Sequence, residues 1–164
     1  MPLGWGIIST GQHPDLKVAP AMTAADDQEI VSVYSRDKGR AQAFAEKHGA
    51  AAAYDSVDDL LQDSRVDAVF IASPNSLHSQ HALQAAAAGK HVLSEKPMTT
   101  TLEDGIAMVR GCREHGVKLG TGYHLRTHPG HILTRRLISE GVLGHIALAQ
   151  GQWGFGVRGI GGPP

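Results

Sequence analysis

The sequence predicts an α/β fold: a doubly wound parallel sheet, followed by the first strand of a second, α+β domain that the chain leaves unfinished. Three observations carry that expectation. Strand and helix patterns alternate strictly from residue 3 to about residue 122, the order that parallel βαβ units with right-handed crossovers produce. The stretch Asp67–Ala72 is almost continuously apolar, as in a strand covered on both faces. His145–Gln152 instead alternates apolar and polar residues, the mark of a half-exposed antiparallel strand in a different sheet.

In order, Leu3–Ser9 is an apolar run and reads as the first strand. A turn at Thr10–Pro14 leads into a helix through Val18, Ala19, Ala21 and Met22, with Pro14 placed in its first turn, where a missing N–H costs nothing. Glu29–Ser35 is the second strand. Lys38–His48 carries Ala41, Phe44 and Ala45 at helical spacing and stops at Gly49. Ala51–Tyr54 is a short third strand, and Ser56-Val57-Asp58-Asp59 resembles a helix-starting box with Asp in the place of Glu. After the fourth strand, Ser73–Ser76 turns into an alanine-rich helix, His78–Ala88, closed by Gly89. His91–Glu95 is the fifth strand. Thr101 starts a helix that runs to His115, Lys118–Gly122 is the sixth strand, Tyr123–Arg126 a polar turn, and Pro129–Glu140 a further helix ended by Gly141. Gly154, Gly156, Gly159, Gly161, Gly162, Pro163 and Pro164 read as a loop or tail. The expected division is a first domain over residues 1–125, then a linking helix and the start of a second domain over residues 126–164.

Composition bounds the function. Fifteen Lys and Arg against sixteen Asp and Glu give a net charge of −1, which offers nucleic acid and anionic membranes no electrostatic attraction. No apolar run approaches the ~20 residues that span a bilayer. Cys112 is the single cysteine and fits a reducing cytoplasm; its place in a helical pattern makes it buried filler. The ten histidines are scattered without metal-ligand spacing, so no metal site is expected.

Two stretches carry chemistry. In a Rossmann fold the first strand-turn-helix holds a dinucleotide pyrophosphate against turn amides and the positive helix end. Here the glycine-rich turn is reduced to Ser9-Thr10-Gly11-Gln12-His13-Pro14, keeping the middle glycine that permits close backbone approach. An ordinary βα turn is the competing reading. At the end of the second strand, Ser35 and Arg36 suit a 2′-phosphate, because a guanidinium forks onto phosphate and a hydroxyl donates to it. Asp37 stands late for a ribose-binding carboxylate but leaves NAD open, so NADP is favoured over NAD. The second stretch is Val92–Pro97, where an apolar strand ends abruptly in Glu95-Lys96-Pro97. A charged pair at the carboxyl end of a buried strand lies where open α/β sheets bind ligands. A strand-end salt bridge is the alternative.

Ser73-Pro74-Asn75-Ser76-Leu77-His78, followed at this separation by Gly89-Lys90-His91-Val92-Leu93-Ser94-Glu95-Lys96-Pro97, resembles the glucose–fructose oxidoreductase, inositol dehydrogenase and MocA family of NAD(P)-dependent oxidoreductases. Tyr123–Arg126 and Glu140–Gly144 match that family in type and order, and the likeness covers residues 3 to about 152. The resemblance implies an NAD(P)-binding Rossmann domain, NADP or NAD as cofactor, a sugar, inositol or related polyol as substrate, and a homo-oligomer. It implies that Ser9, Gly11, Gln12 and His13 lie at the pyrophosphate, and that Ser35 and Arg36 select the adenosine end. Ser73, Pro74, Asn75 and His78 would line the cofactor groove, Glu95 would approach the nicotinamide ribose, and His124 and Arg126 would edge the substrate side. Lys96 would reach cofactor and substrate as the catalytic amine. A binding or self-associating module without its own catalysis is the rival reading, because the residues that usually partner this lysine belong to a second domain.

Overall fold

Continuous apolar runs do become the inner strands of one sheet. The computed structural model describes residues 1–152 and residue 154. Six parallel strands, β1 (Leu3–Ile8), β2 (Gln28–Tyr34), β3 (Ala52–Tyr54), β4 (Ala68–Ile71), β5 (His91–Ser94) and β6 (Leu119–Thr121), form a sheet in the order β3-β2-β1-β4-β5-β6. The chain winds outward one way from β1 and then the other way from β4. That reversal opens a crevice beyond the carboxyl ends of β1 and β4. Backbone bonds such as Ala72 N–H to the Ile8 carbonyl and Glu95 N–H to the Ile71 carbonyl keep the strand ends level there.

Both faces of the sheet are covered, as its apolar runs require. Alternate residues of one strand enter opposite cores. Ile7 and Phe70 join Ala19, Met22, Val33 and Phe44 on one side. Ile8, Val69 and Ile71 join Leu60, Ala82, Ala85, Met108 and Cys112 on the other. Cys112 is buried, and burial pushes its thiol up from the ordinary value, so it fills space and is poorly suited to be a nucleophile.

The helices are α1 (Ala19–Ala24), α2 (Lys38–His48), α3 (Val57–Gln62), α4 (His78–Ala87), α5 (Leu102–Glu114) and α6 (Pro129–Ser139). Their starts follow the chemistry of the sequence. The Asp37 carboxylate accepts from Arg40 N–H at 2.8 Å, Ser56 Oγ from Asp59 N–H at 3.3 Å, and Thr101 Oγ1 from Asp104 N–H at 3.2 Å. Gly49, Gly89, Gly116 and Gly141 end helices at positive φ, between 69° and 73°.

Two elements differ from the sequence expectation. The first helix is not regular: Pro14–Val18 forms a π-helical turn, closed by Ala19 N–H donating to the Pro14 carbonyl. Pro20 explains it, because proline has no N–H for the preceding turn and crowds its carbonyl, so the ladder slips by one residue just before it. Residues 145–152 form no strand. Alternation specifies two faces but supplies no ladder, and a strand also needs a paired neighbour. Of the glycine- and proline-rich tail, Gly154 carries no regular structure, and Gly156, Gly159, Gly161, Gly162, Pro163 and Pro164 lie outside the described residues.

Met1–Tyr123 make up the first of two compact units, and the second begins at His124. The second unit's described residues include a 3₁₀ turn at His124–Thr127 and α6, whose start is capped by His128 accepting from Gly130 N–H. No helix among the described residues is long and apolar enough to cross a membrane.

One ion pair makes a test of the fold. Asp63, at the end of α3, accepts from Arg65 Nη2 at 2.7 Å, Arg65 Nε at 2.9 Å and Tyr54 Oη at 3.2 Å. The Arg65 guanidinium holds its carboxyl at about 2. A depressed carboxylate stabilises the fold above its unfolded value near 3.8, and that stability disappears as pH falls through 2. Asp63→Asn should therefore cost ~1–2 kcal/mol at pH 7, the half-exposed arginine screening part of the pair. In urea denaturation the gap to the parent should close by about pH 2; a gap independent of pH would refute the assignment.

Candidate functional site

The crevice at the sheet's reversal point is a groove of about 170 Å³ lined by three strand ends. Ser9, Thr10 and Gly11 follow β1; Tyr34, Ser35, Arg36 and Arg40 come from the end of β2 and the start of α2; Ser73, Pro74, Leu77 and His81 follow β4.

The β1 turn presents backbone to the groove. A Cβ built on Gly11 would meet only Ser9 Oγ at 3.4 Å and Pro14 Cδ at 4.0 Å. The fold itself therefore does not demand a glycine here, and the missing side chain leaves room for a ligand's phosphates to approach the backbone. Ser9 sits at φ 139° and its Oγ accepts from Gly11 N–H at 3.2 Å.

At the β2 end the groove is cationic. Ser35 is buried, and its Oγ accepts from Asp37 N–H at 3.3 Å. Arg36 and Arg40 are exposed along the rim. Asp37, the carboxylate that left NAD open, is engaged as the α2 cap.

Two histidines grip the β4 end. His81 Nδ1 lies 2.9 Å from Ser73 Oγ, and its ring meets Tyr34 edge-on at 6.4 Å between centroids. Burial pushes the His81 imidazole below its ordinary value, with His78 adding to the shift. His78 was expected to line the groove, and it does not. It is 1% exposed, with Nε2 2.9 Å from the Ser73 carbonyl and Nδ1 2.9 Å from the Pro97 carbonyl. It ties the β4 turn to the turn after β5, because a ring this buried must satisfy both nitrogens within the protein.

At the β5 end, Glu95 Oε2 accepts from Lys96 N–H at 3.1 Å, and Oε1 lies 2.9 Å from His13 Nε2. The Lys96 side chain is exposed and its ammonium makes no ion pair among the described residues. Gly122 leaves space beside this carboxylate, since a Cβ there would come within 3.2 Å of Glu95 Oε1.

A family model described as an oxidoreductase family with an NAD-binding Rossmann fold, GFO_IDH_MocA, matches residues 3–123. The chain belongs to the Gfo/Idh/MocA oxidoreductase family. It is 41% identical over 146 residues to a 1,5-anhydro-D-fructose reductase of Ensifer adhaerens, covering 89% of this chain and 44% of that protein. A D-xylose 1-dehydrogenase (NADP(+)) of Haloferax volcanii is 38% identical over 125 residues, covering 76% of this chain and 38% of that protein. Among solved structures, the 3-ketoreductase KijD10 of Actinomadura kijaniata, in complex with TDP-benzene and NADP, superposes with a TM-score of 0.81 at 32% identity, over 87% of this chain and 45% of that one. The chain thus spans less than half the length of these relatives.

Within this Gfo/Idh/MocA domain, Ser9, Gly11, Ser35, Arg36, Ser73 and Pro74 come together around the groove. His13, Glu95 and Lys96 gather at the β5 end. Gln12 and Asn75 are exposed and stand outside the groove lining. His124 and Arg126 are exposed residues of the second unit's 3₁₀ turn. The sequence reading missed Thr10, Tyr34, Arg40, Leu77 and His81. A signal existed for one of them: His81 follows His78 by three residues, a spacing that shares a helical face of α4.

Proposed function

We propose that this domain holds NADP(H) in preference to NAD(H) for hydride exchange with a sugar, inositol or related polyol. The observation that carries the reading is the adenosine end of the groove. There Arg36, Arg40 and the Ser35 hydroxyl stand together, while Asp37 is engaged as a cap. Guanidinium groups match a phosphate in charge and geometry, whereas a ribose diol calls for a carboxylate acceptor.

When bound, the dinucleotide supplies the hydride donor or acceptor. The chain's own residues do the rest. Gly11 gives the pyrophosphate close backbone approach. Glu95 fixes the backbone of Lys96 by accepting its N–H. Lys96 serves the reacting oxygen: its neutral amine takes the hydroxyl's proton as hydride leaves the carbon and passes it to solvent, and the ammonium so formed stabilises the oxygen's remaining charge. The sugar-directed names of two relatives support this substrate class.

Titrating NADPH and NADH into the 164-residue chain tests the reading. NADPH should bind at least ~10-fold more tightly, as one charge-assisted phosphate contact provides. Equal affinities would reject the adenosine assignment, and no binding of either would reject the groove. A second reading is a module that holds dinucleotide without turnover, favoured by the chain's spanning 44% of its reductase relative. Turnover of a polyol by the isolated chain would remove it.

A further inference from the structure

Helix α5 is apolar on two sides, and the sheet accounts for one of them. Met108 and Cys112 are buried in the core, and Gly111 has no room for a Cβ beneath Leu83 of α4. The Asp104 carbonyl accepts from Ser79 Oγ of α4 at 3.3 Å. The opposite side of a helix that covers a sheet normally carries polar residues. Here it carries Leu102, Ile106 and Val109, which are 73%, 56% and 41% exposed. A lone exposed leucine needs no explanation, but a contiguous apolar row marks an interaction site.

The row has the spacing of a seam between two helices. Leu102, Ile106, Val109 and Arg113 follow one another at steps of four, three and four residues. Leu102, Gly105, Ile106 and Val109 stand at i, i+3, i+4 and i+7, the four corners of a hole that receives a side chain from a facing helix. Gly105 has no side chain, which deepens that hole.

Charge identifies the facing helix. Glu103 and Arg110 are seven residues apart, exposed, and on one flank of the seam. Glu103 makes no ion pair among the described residues. Arg110 approaches Glu114 of its own helix at 3.8 Å, with the two side chains 71% and 64% exposed. When two identical helices pack antiparallel about a two-fold axis, each flank faces the same flank of the other copy. Glu103 of each copy then stands beside Arg110 of the other. A parallel copy would set this flank against the Gly105 flank and leave both charges unpaired.

We propose that α5 is a docking surface for a second copy of this chain: two α5 helices pack antiparallel about a two-fold axis near Ile106, and Glu103 and Arg110 pair across it twice. None of these residues lines the groove, so the surface is separate from the dinucleotide site. One helix face buries less than the ~1,200 Å² of a standard interface, which places the dissociation constant at about 10⁻⁵–10⁻⁴ M.

Sedimentation velocity of the 164-residue chain, from about 5 μM to about 1 mM, tests this, and the parent should pass from monomer to dimer across that range. Ile106→Glu puts a carboxylate in the seam and should keep the chain monomeric throughout, with Tm unchanged because the side chain is exposed. Glu103→Arg sets arginine beside arginine and should weaken the dimer about tenfold. Added salt should then strengthen that variant's dimer while weakening the parent's. Glu103→Arg combined with Arg110→Glu should restore the parent's affinity. These reversals lie at exposed positions, so they decide the matter even if Ile106→Glu lowers Tm. A parent that stays monomeric to about 1 mM would overturn the proposal. So would association that Ile106→Glu leaves intact, which would move the contact elsewhere, for example to the exposed Ile132, Leu133 and Ile138 of α6. A double reversal as weak as the single one would overturn the antiparallel pairing.

Discussion

Lys96→Ala is expected to lower turnover by ~10²–10⁴-fold, the range that a positioned proton-transfer group contributes, in a form of the protein that turns over a polyol. Dinucleotide affinity should stay within about threefold of the parent, the pattern of an interaction made in the transition state. The geometry makes this a clean substitution. The Lys96 side chain is exposed, so removing it opens no cavity. Its backbone remains anchored by the Glu95 carboxylate, which itself rests against Gly122 and contacts His13. Stopped-flow measurement of hydride transfer, with a parallel NADPH titration, separates the two effects. A variant with normal turnover would show that the amine before Pro97 is not the proton relay. A variant that loses turnover and cofactor binding together would make Lys96 a binding group instead.

What the sequence disclosed, and what it hid, divides along physical lines. Strands buried on both faces are continuous apolar runs, and helix ends carry capping residues and glycines. Six strands and the helix starts at Ser56 and Thr101 were therefore legible in order, whereas Asp37, which reads in the sequence as a late ribose-binding carboxylate, caps α2. The π-helical turn was not, because Pro20 lies inside a pattern whose apolar spacing still reads as an ordinary helix. Nor was the fate of residues 145–152, since periodicity describes faces and a strand also needs a neighbour. The site followed the same rule. Residues of a single turn, such as Ser9 with Gly11 or Ser35 with Arg36, were found because proximity in sequence guarantees proximity in space. Tyr34 and His81 meet only because β2 and β4 flank β1, which no local pattern records. His78 shows the converse. Its motif pointed to the groove, yet its ring is buried where two carbonyls from different turns converge.

The pair Arg36→Ala and Arg40→Ala is expected to cost NADPH about 100-fold in affinity while leaving NADH within about threefold. Each guanidinium–phosphate contact is worth ~1.5 kcal/mol at an exposed rim, the low end for charge-assisted bonds, or about tenfold per arginine. Each single variant should therefore lose about tenfold, and raising salt should erode the parent's NADPH preference more than that of the double variant, because rim charges are screened. Calorimetric titrations of both dinucleotides at two salt concentrations read all of this. Parallel losses for NADPH and NADH would mean that the arginines support the groove in general and do not read a 2′-phosphate. The double variant should not become an NAD-selective protein. Its nearest carboxylate, Asp37, accepts Arg40 N–H as the cap of α2, and that bond survives truncation of the Arg40 side chain because its donor is backbone. Discrimination in favour of NAD would need a carboxylate placed at the end of β2 itself, which is where Ser35 now stands buried.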